Sequence, residues 1–191
     1  MFYLIMGILI FIGTHSISIF NEQWRNQTIE KLGTPKWKSL YSLFSLVGFA
    51  LICWGYGLAR QDPIVLYQPL GLTRYLALLL MFFVFPLILA ANFPGRIKTM
   101  TKHPLLAATK IWAFSHLLTN GTIADVILFG SLLAWAILNR ISLKKRYQPT
   151  VIGTPEKAHN DIIALGAGTG IYVLFLFWGH TAPFSVSVIP F

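Results

Sequence analysis

The chain contains about six apolar runs that are each long enough to cross a lipid bilayer as an α-helix. The candidate spans are residues 2–20, 39–59, 73–93, 103–120, 122–140 and 161–181. Within the hydrocarbon core, every backbone polar group must find its hydrogen-bond partner inside the chain, which favours helices. The sequence therefore predicts an all-α integral membrane helical bundle, with five spans plus one re-entrant helix as the alternative.

The composition is typical of a membrane protein. Hydrophobic residues make up 55% of the chain and charged residues only 11%, whereas soluble domains carry about 25% charged residues. The length of 191 residues predicts a single transmembrane domain over 1–191. The only cysteine, Cys53, lies in an apolar run, which excludes a disulfide framework and a cysteine-based metal site.

The basic residues are distributed unevenly among the loops. The loops that follow the first, third and fifth spans hold most of the 15 Lys and Arg residues; the second loop holds Arg60 and Arg74, and the turn at Asn120-Gly121 holds none. Cytoplasmic loops carry such an excess, so the net charge of +9 reflects topology and not nucleic-acid binding. We predict that both termini lie outside the cytoplasm, which is the periplasmic side of the inner membrane in a bacterium.

Local signals predict several details of the helices. Asn120-Gly121 is typical of a tight turn, and Thr122 with Asp125 matches a capping box, which favours a capping role for Asp125 over a catalytic one. Phe85-Pro86 predicts a kink in the third span. The small residues of 166–170 predict a close approach of two helices.

Ionisable groups inside spans are costly and are functional hypotheses by default. His15, His103, His116 and His180 lie in or at spans, whereas His159 lies in a polar loop. His103 and His116 are separated by about 220° around one helix, so we do not expect both to bind one metal ion. His103 begins its helix and can equally serve as an interfacial residue.

The fourth span carries two further polar side chains. Trp112 lies on the same helical stripe as His116, at a spacing of four residues. Lys110 lies in mid-span without an obvious carboxylate partner, so we expect it to pair with an anionic group of a cofactor or substrate. A buried amine without such a partner is the alternative.

Imidazoles in aromatic, carboxylate-poor surroundings favour one class of metal centre. Calcium and magnesium require oxygen ligands, whereas haem iron takes axial histidine inside an apolar pocket. His15, His116 and His180 therefore form a candidate haem site. Histidines that only pack and hydrogen-bond to Ser and Thr within the bundle are the alternative on these grounds alone.

Several motifs are shared with a known family. They are His103-Pro104-Leu105, Ile111-Trp112-Ala113, residues 116–121, Leu128-Phe129-Gly130, Ala134-Trp135-Ala136, Gly13-Thr14-His15-Ser16 and Phe177-Trp178-Gly179-His180. With these motifs, nearly the whole chain resembles the NnrU membrane protein family, which includes the plant and cyanobacterial zeta-carotene isomerases.

The resemblance implies a cofactor and its ligands. The isomerases bind haem b, and His15 and His116 match their proposed axial histidines, with His180, Trp112 and Lys110 as further cofactor-binding candidates. Where the isomerases have a cysteine ligand, this chain has Ala113. In the candidate spans, His15 and His116 differ in depth by about 14 Å, which suits two ligands of one haem that lies parallel to the membrane. His116 with His180, both near the outer face, suits a haem that stands upright, and the family match favours the pair of His15 and His116.

The resemblance also implies a function. The NnrU branch is associated with denitrification and nitric oxide metabolism, so we expect haem-dependent redox or sensing chemistry in the membrane. The alternatives are a carotenoid or isoprenoid cis-trans isomerase with a lipophilic substrate, and a non-catalytic accessory or assembly factor. A methyltransferase is disfavoured by the basic segment 139–146, and a proton-coupled transporter by the scarcity of intramembrane acids.

The predicted orientation can be tested with reporter fusions in a bacterial host. Alkaline phosphatase fused after Phe191 should be active, and green fluorescent protein at the same position should be dark, because that terminus is expected outside the cytoplasm. The same reporters inserted after Lys145 serve as the control and should give the reverse pattern. Fluorescence from the terminal fusion would contradict the orientation.

Overall fold

The computed structural model describes residues 1–146 and 157–179. These residues form α-helices and no β-strand. The only β-type pairing within them is an isolated bridge between Val65 and Thr122. The helices are α1 (Phe2–Phe20), α2 (Glu22–Leu32), α3 (Thr34–Ala59), α4 (Gly71–Phe82), α5 (Val84–Asn92), α6 (Arg96–Thr101), α7 (Pro104–Thr119), α8 (Ile123–Lys145) and α9 (Ala158–Leu174), and a π-helical turn (Phe175–Gly179) continues α9.

The prediction of an all-α membrane bundle is confirmed. Five helical stretches in the described residues are long and apolar enough to cross a membrane: Phe2–Phe20, Thr34–Ala59, Gly71–Asn92, Ile123–Lys145 and His159–Gly179. The fourth predicted span is α7, which has 16 residues and is shorter than the ~20 that a full crossing needs. The structure thus agrees with the alternative of five spans plus one shorter helix.

Two helices near the first loop differ from the sequence-based boundaries. The second span was expected to begin at residue 39, but α3 begins at Thr34. The backbone turns at Gly33, which follows the end of α2 and has a φ of 82°, and Pro35 then occupies the first turn of α3. Proline is favoured there because the first helical N–H groups have no intrahelical partner. The polar helix α2, which Asn21 caps by accepting from the Trp24 N–H, was not predicted.

The described residues divide into two compact units. The first comprises residues 1–69 and 116–146, and the second comprises 70–115 and 157–179. The boundary passes through α7 after Ser115. The prediction of one domain over 1–191 stays a prediction.

In the first unit, α1 packs along α3, and α8 packs on α1. Gly55 of α3 lies against the backbone of Leu4, and Gly48 lies against the backbone of Phe11. The antiparallel register is therefore set by glycines that let the two backbones touch. Small residues serve this purpose in membranes, where lipid tails are as apolar as leucine and packing has to drive association.

In the second unit, α5 packs against α9. The predicted kink is confirmed: the third span breaks at Phe83, between α4 and α5, where Pro86 cannot donate a backbone hydrogen bond to the preceding turn. Within the small-residue segment, only Gly168 makes the expected close contact, against the backbone of Pro86. Gly166 and Gly170 face open space.

The contact between α1 and α3 predicts that two alanine substitutions in the same helix, α3, differ in their effect on stability. Gly48→Ala would bring a methyl group to 2.7 Å from the Phe11 nitrogen, which should lower the free energy of unfolding by about 1–3 kcal/mol. Gly57→Ala is the matched control, because nothing lies within 4 Å of its added methyl group. Thermal unfolding in detergent measures both; an unchanged midpoint for Gly48→Ala would contradict the packing.

Candidate functional site

The five predicted site residues lie in different parts of the molecule. His15 and His116 belong to the first unit, whereas Lys110 and Trp112 belong to the second. His180 lies outside the described residues. The structure therefore allows a geometric description of His15 and His116 together, and of the other two only within their own unit.

His15 lies on the last turns of α1, in a group of side chains that we call the His15 cluster. Its ring lies 4.2 Å from the Phe11 ring, 5.2 Å from that of Tyr41 and 5.8 Å from that of Trp135, between centroids. Ser45 follows Tyr41 by one turn on the same face of α3. The cluster therefore contains Phe11, His15, Tyr41, Ser45 and Trp135, contributed by α1, α3 and α8.

The hydrogen bond that His15 makes fixes which of its ring nitrogens can bind a metal. The Nδ1 atom lies 2.7 Å from the Phe11 carbonyl oxygen, and since a carbonyl only accepts, Nδ1 carries the proton and donates. The neutral ring then has its lone pair on Nε2. Metal-ligating histidines are held in this way, with the other nitrogen donating to a backbone carbonyl or carboxylate.

Two buried polar atoms of the His15 cluster have no hydrogen-bond partner among the described residues. They are the hydroxyl oxygen of Ser45 and the indole nitrogen of Trp135. Other hydroxyl groups in the spans donate to a carbonyl one turn earlier, as Thr14 does to Ile10 at 2.7 Å. An unpaired buried donor costs about 1–3 kcal/mol, so two such groups beside one imidazole are a feature that requires a functional explanation.

His116 lies at the C-terminal end of α7 in a different environment. Its ring stacks on Phe129 of α8, with 4.4 Å between centroids and 6° between planes. The Asn120 amide nitrogen donates to the His116 carbonyl at 2.9 Å and lies 3.3 Å from its Nδ1. The amide nitrogen is therefore closer to the backbone carbonyl than to the ring, and His116 Nδ1 faces an amide instead of the carbonyl that His15 Nδ1 faces.

Next to Phe129 lies a buried carboxylate. Asp125 is 4% exposed and accepts from the Tyr56 hydroxyl at 2.5 Å and from the Thr122 N–H and hydroxyl at 2.9 Å and 2.6 Å. The Thr122 hydroxyl in turn accepts from the Asp125 N–H at 3.2 Å, which completes the predicted capping box. The capping role predicted for Asp125 is confirmed. We call Tyr56, His116, Asn120, Asp125 and Phe129 the cap cluster.

A loop between α3 and α4 closes over the cap cluster. The backbone N–H groups of Leu66 and Tyr67 donate to the Gly121 carbonyl at 2.8 Å and 3.1 Å. The Tyr67 hydroxyl lies within hydrogen-bond distance of two carbonyl oxygens at the end of α7, those of Leu117 in its last turn and of Asn120 just after it. Burial, and then the nearby Asp125 carboxylate, raise the pKa of Tyr67, so its phenol stays protonated and able to donate at neutral pH.

The two histidines of the first unit lie at different depths. Their aromatic partners on α8, Trp135 and Phe129, are six residues or about 9 Å apart along the helix. The Nδ1 atoms of the two rings also face different groups, a backbone carbonyl at His15 and the Asn120 amide nitrogen at His116.

The remaining predicted residues lie on the second-unit part of α7. Trp112 and Lys110 are both half-buried, and no ion pair of the Lys110 ammonium is found among the described residues. No group of three or more His, Cys, Asp or Glu side chains that could hold a metal ion occurs in the described part of the chain. The roles predicted for Lys110 and Trp112 stay predictions.

The sequence analysis missed Ser45, Tyr41 and Tyr56. The signal for the first two was a stripe on α3 at helical spacing, which contains Tyr41, Ser45, Gly48 and then Ile52 and Gly55. The last three of these are buried, so the stripe is the face toward α1. A polar pair at one end of a glycine-rich packing face indicates a polar site against the partner helix.

The short hydrogen bond between Tyr56 and Asp125 should stabilise the first unit. Tyr56→Phe removes the donor and keeps the ring, and we expect a loss of about 1.5–3 kcal/mol because the acceptor is charged. Tyr3→Phe is the control: Tyr3 is exposed on α1, and its substitution should leave the free energy of unfolding unchanged. In a double-mutant cycle, adding Asp125→Asn should cost less in the Tyr56→Phe background than alone; fully additive effects on unfolding would contradict the pairing.

Comparison with known proteins gives a single family. The family described as NnrU protein matches residues 3–188, nearly the whole chain. No curated protein and no solved structure matches the chain. With its membrane-length helices and this match, the chain is a membrane protein that belongs to the NnrU family.

Proposed function

We propose that this protein binds haem b within the membrane through His15 and uses it in redox or sensing chemistry linked to nitric oxide metabolism and denitrification. The observation that carries the proposal is the hydrogen bond from His15 Nδ1 to the Phe11 carbonyl. That bond directs the lone pair of the neutral ring to Nε2, as an iron ligand requires. In a bacterium, the protein would lie in the inner membrane.

The residues around His15 fit an apolar macrocycle better than a hydrated metal ion. Phe11, Tyr41 and Trp135 surround the imidazole with aromatic rings, and no carboxylate is found among these contacts. Hard cations would need oxygen ligands that the cluster does not provide. When bound, haem b supplies an iron centre that exchanges single electrons and takes up small ligands.

The residues of the chain have separate roles in this proposal. His15 would hold the iron, the Phe11 carbonyl would keep the ring in the required tautomer, and the aromatic side chains would exclude water. His116 Nδ1 faces the Asn120 amide and not a carbonyl, so this nitrogen lacks the carbonyl contact that fixes the tautomer of His15. We therefore propose that His15 contributes more to haem binding than His116 does.

A carotenoid or isoprenoid isomerase is the weaker proposal. By resemblance, the isomerases use a cysteine three residues before the second histidine, and this chain has Ala113 there, which is fully buried. The single cysteine, Cys53, is exposed on α3. Residue 113 therefore has no thiolate that could bind the iron in exchange for a histidine.

Absorption spectra of the purified protein test the haem proposal. Wild-type protein should give a Soret band and sharp bands after dithionite reduction. His15→Ala should lose them, and His116→Ala should retain most of the bound haem. His159→Ala, at an exposed position, is the matched control and should match wild type.

Two outcomes would contradict the proposal. If the wild type shows no Soret band even after reconstitution with hemin, the protein does not bind haem and an accessory or assembly role becomes the better hypothesis. If haem binds equally in His15→Ala, the ligand assignment is wrong. Adding nitric oxide to the reduced, loaded protein should change the spectrum; an unchanged spectrum would contradict the sensing role.

A further inference from the structure

The geometry of the His15 cluster points to a second ligand, and we propose that Ser45 and Trp135 bind the carbonyl oxygen of a lipid-soluble quinone. The inference goes beyond haem binding and holds for the haem-free protein. It starts from the two buried polar atoms that have no partner among the described residues, the Ser45 hydroxyl and the Trp135 indole nitrogen.

The two residues belong to the two helices that flank His15, Trp135 to α8 and Ser45 to α3. Trp135 contacts the His15 ring directly, at 5.8 Å between centroids and 87° between planes. Ser45 is placed by the register of α1 against α3: Gly48 lies against Phe11 and Gly55 against Leu4. Continuing that antiparallel register brings His15 level with the turn of α3 that contains Ser45.

The two groups are donors, and this defines the ligand atom. An indole nitrogen can only donate, and a serine hydroxyl that has no internal acceptor is available to donate as well. A carbonyl oxygen has two lone pairs and can accept both hydrogen bonds. A ligand with an oxygen of this kind would satisfy both groups at once.

The surroundings define the rest of the ligand. Trp135 and Ser45 lie on α8 and α3, two of the helices that are long and apolar enough to cross a membrane. Their neighbours Phe44 and Leu138 are each 53% exposed and provide an apolar approach from the lipid. The flat rings of Phe11, His15 and Tyr41 favour a planar, conjugated molecule. A quinone combines all of these properties.

In the described part of the chain, no other buried hydroxyl or indole group lacks a hydrogen-bond partner. Ser39, on the same helix, donates to the Pro35 carbonyl at 3.1 Å. Trp54 is 56% exposed and stacks on Tyr3. These two residues provide matched controls for Ser45 and Trp135, because each carries the same chemical group on a span without the proposed role.

The test is the binding of decylubiquinone to haem-free protein in nanodiscs, measured by calorimetry and by infrared difference spectroscopy. In wild type, the carbonyl stretch of the bound quinone should shift to lower wavenumber. Ser45→Ala and Trp135→Phe should each weaken binding about 3- to 10-fold and reverse part of that shift. Ser39→Ala and Trp54→Phe should leave both readouts unchanged.

The alternative occupant is a permanently bound water, and thermal unfolding without quinone separates the two. If the donors are unpaired in the ligand-free protein, Trp135→Phe and Ser45→Ala should leave the unfolding midpoint unchanged or raise it. A lowered midpoint together with unchanged quinone affinity would indicate structural water and overturn the proposal. An unshifted carbonyl band in wild type would also overturn it, whatever the variants do.

These results do not depend on the haem proposal. Quinone binding is measured without haem, so a protein that shows no Soret band can still confirm the Ser45 and Trp135 site. Conversely, a wild type that shows the Soret band but no shift of the quinone carbonyl stretch would confirm haem binding and overturn the quinone site alone.

Discussion

The close contact between α1 and α3 determines the geometry of the first unit. Gly48 and Gly55 allow the two backbones to touch at Phe11 and Leu4, and a register shift would require a side chain to enter that contact. In lipid, where burial of apolar surface gives little advantage to one helix pair over another, such backbone contact is what specifies the pairing. Because the register is fixed, His15 is held beside Tyr41 and Ser45.

The second constraint is that a polar group in the membrane needs a partner. Most of the chain obeys it: Thr14 and Ser115 donate to carbonyls of their own helices, and the Asp125 carboxylate accepts from two neighbouring residues and serves as a cap. Ser45 and Trp135 depart from it together, and they do so next to the imidazole whose lone pair is directed by a backbone carbonyl. Buried polar groups without a partner are rare in native structures, and the proposed quinone site rests on this pair.

The sequence predicted those features that depend on local chemistry. Proline predicted the break at Phe83, and Thr122 with Asp125 predicted the capping box, because both act within one or two turns. The individual roles of Ser45, Trp135 and Tyr56 could not be predicted. Each depends on which face of one helix meets another, and helices that are apolar all round carry a weak signal for that face. The α3 stripe is present in the sequence, but only the contact of its glycines with α1 shows which helix it faces.

The sequence also could not predict that the side chains of His15 and His116 face different groups, because this difference depends on one hydrogen bond at each residue. His15 donates from Nδ1 to a carbonyl, whereas the Nδ1 of His116 faces an amide donor. The neutral His15 ring therefore offers a lone pair on Nε2 near the C-terminal end of α1, whereas the ring of His116 lies close to the turn between α7 and α8. Under the haem proposal, the carbonyl contact would make His15 the better-fixed ligand of the two, because a metal-binding histidine is held by a hydrogen bond from its other nitrogen.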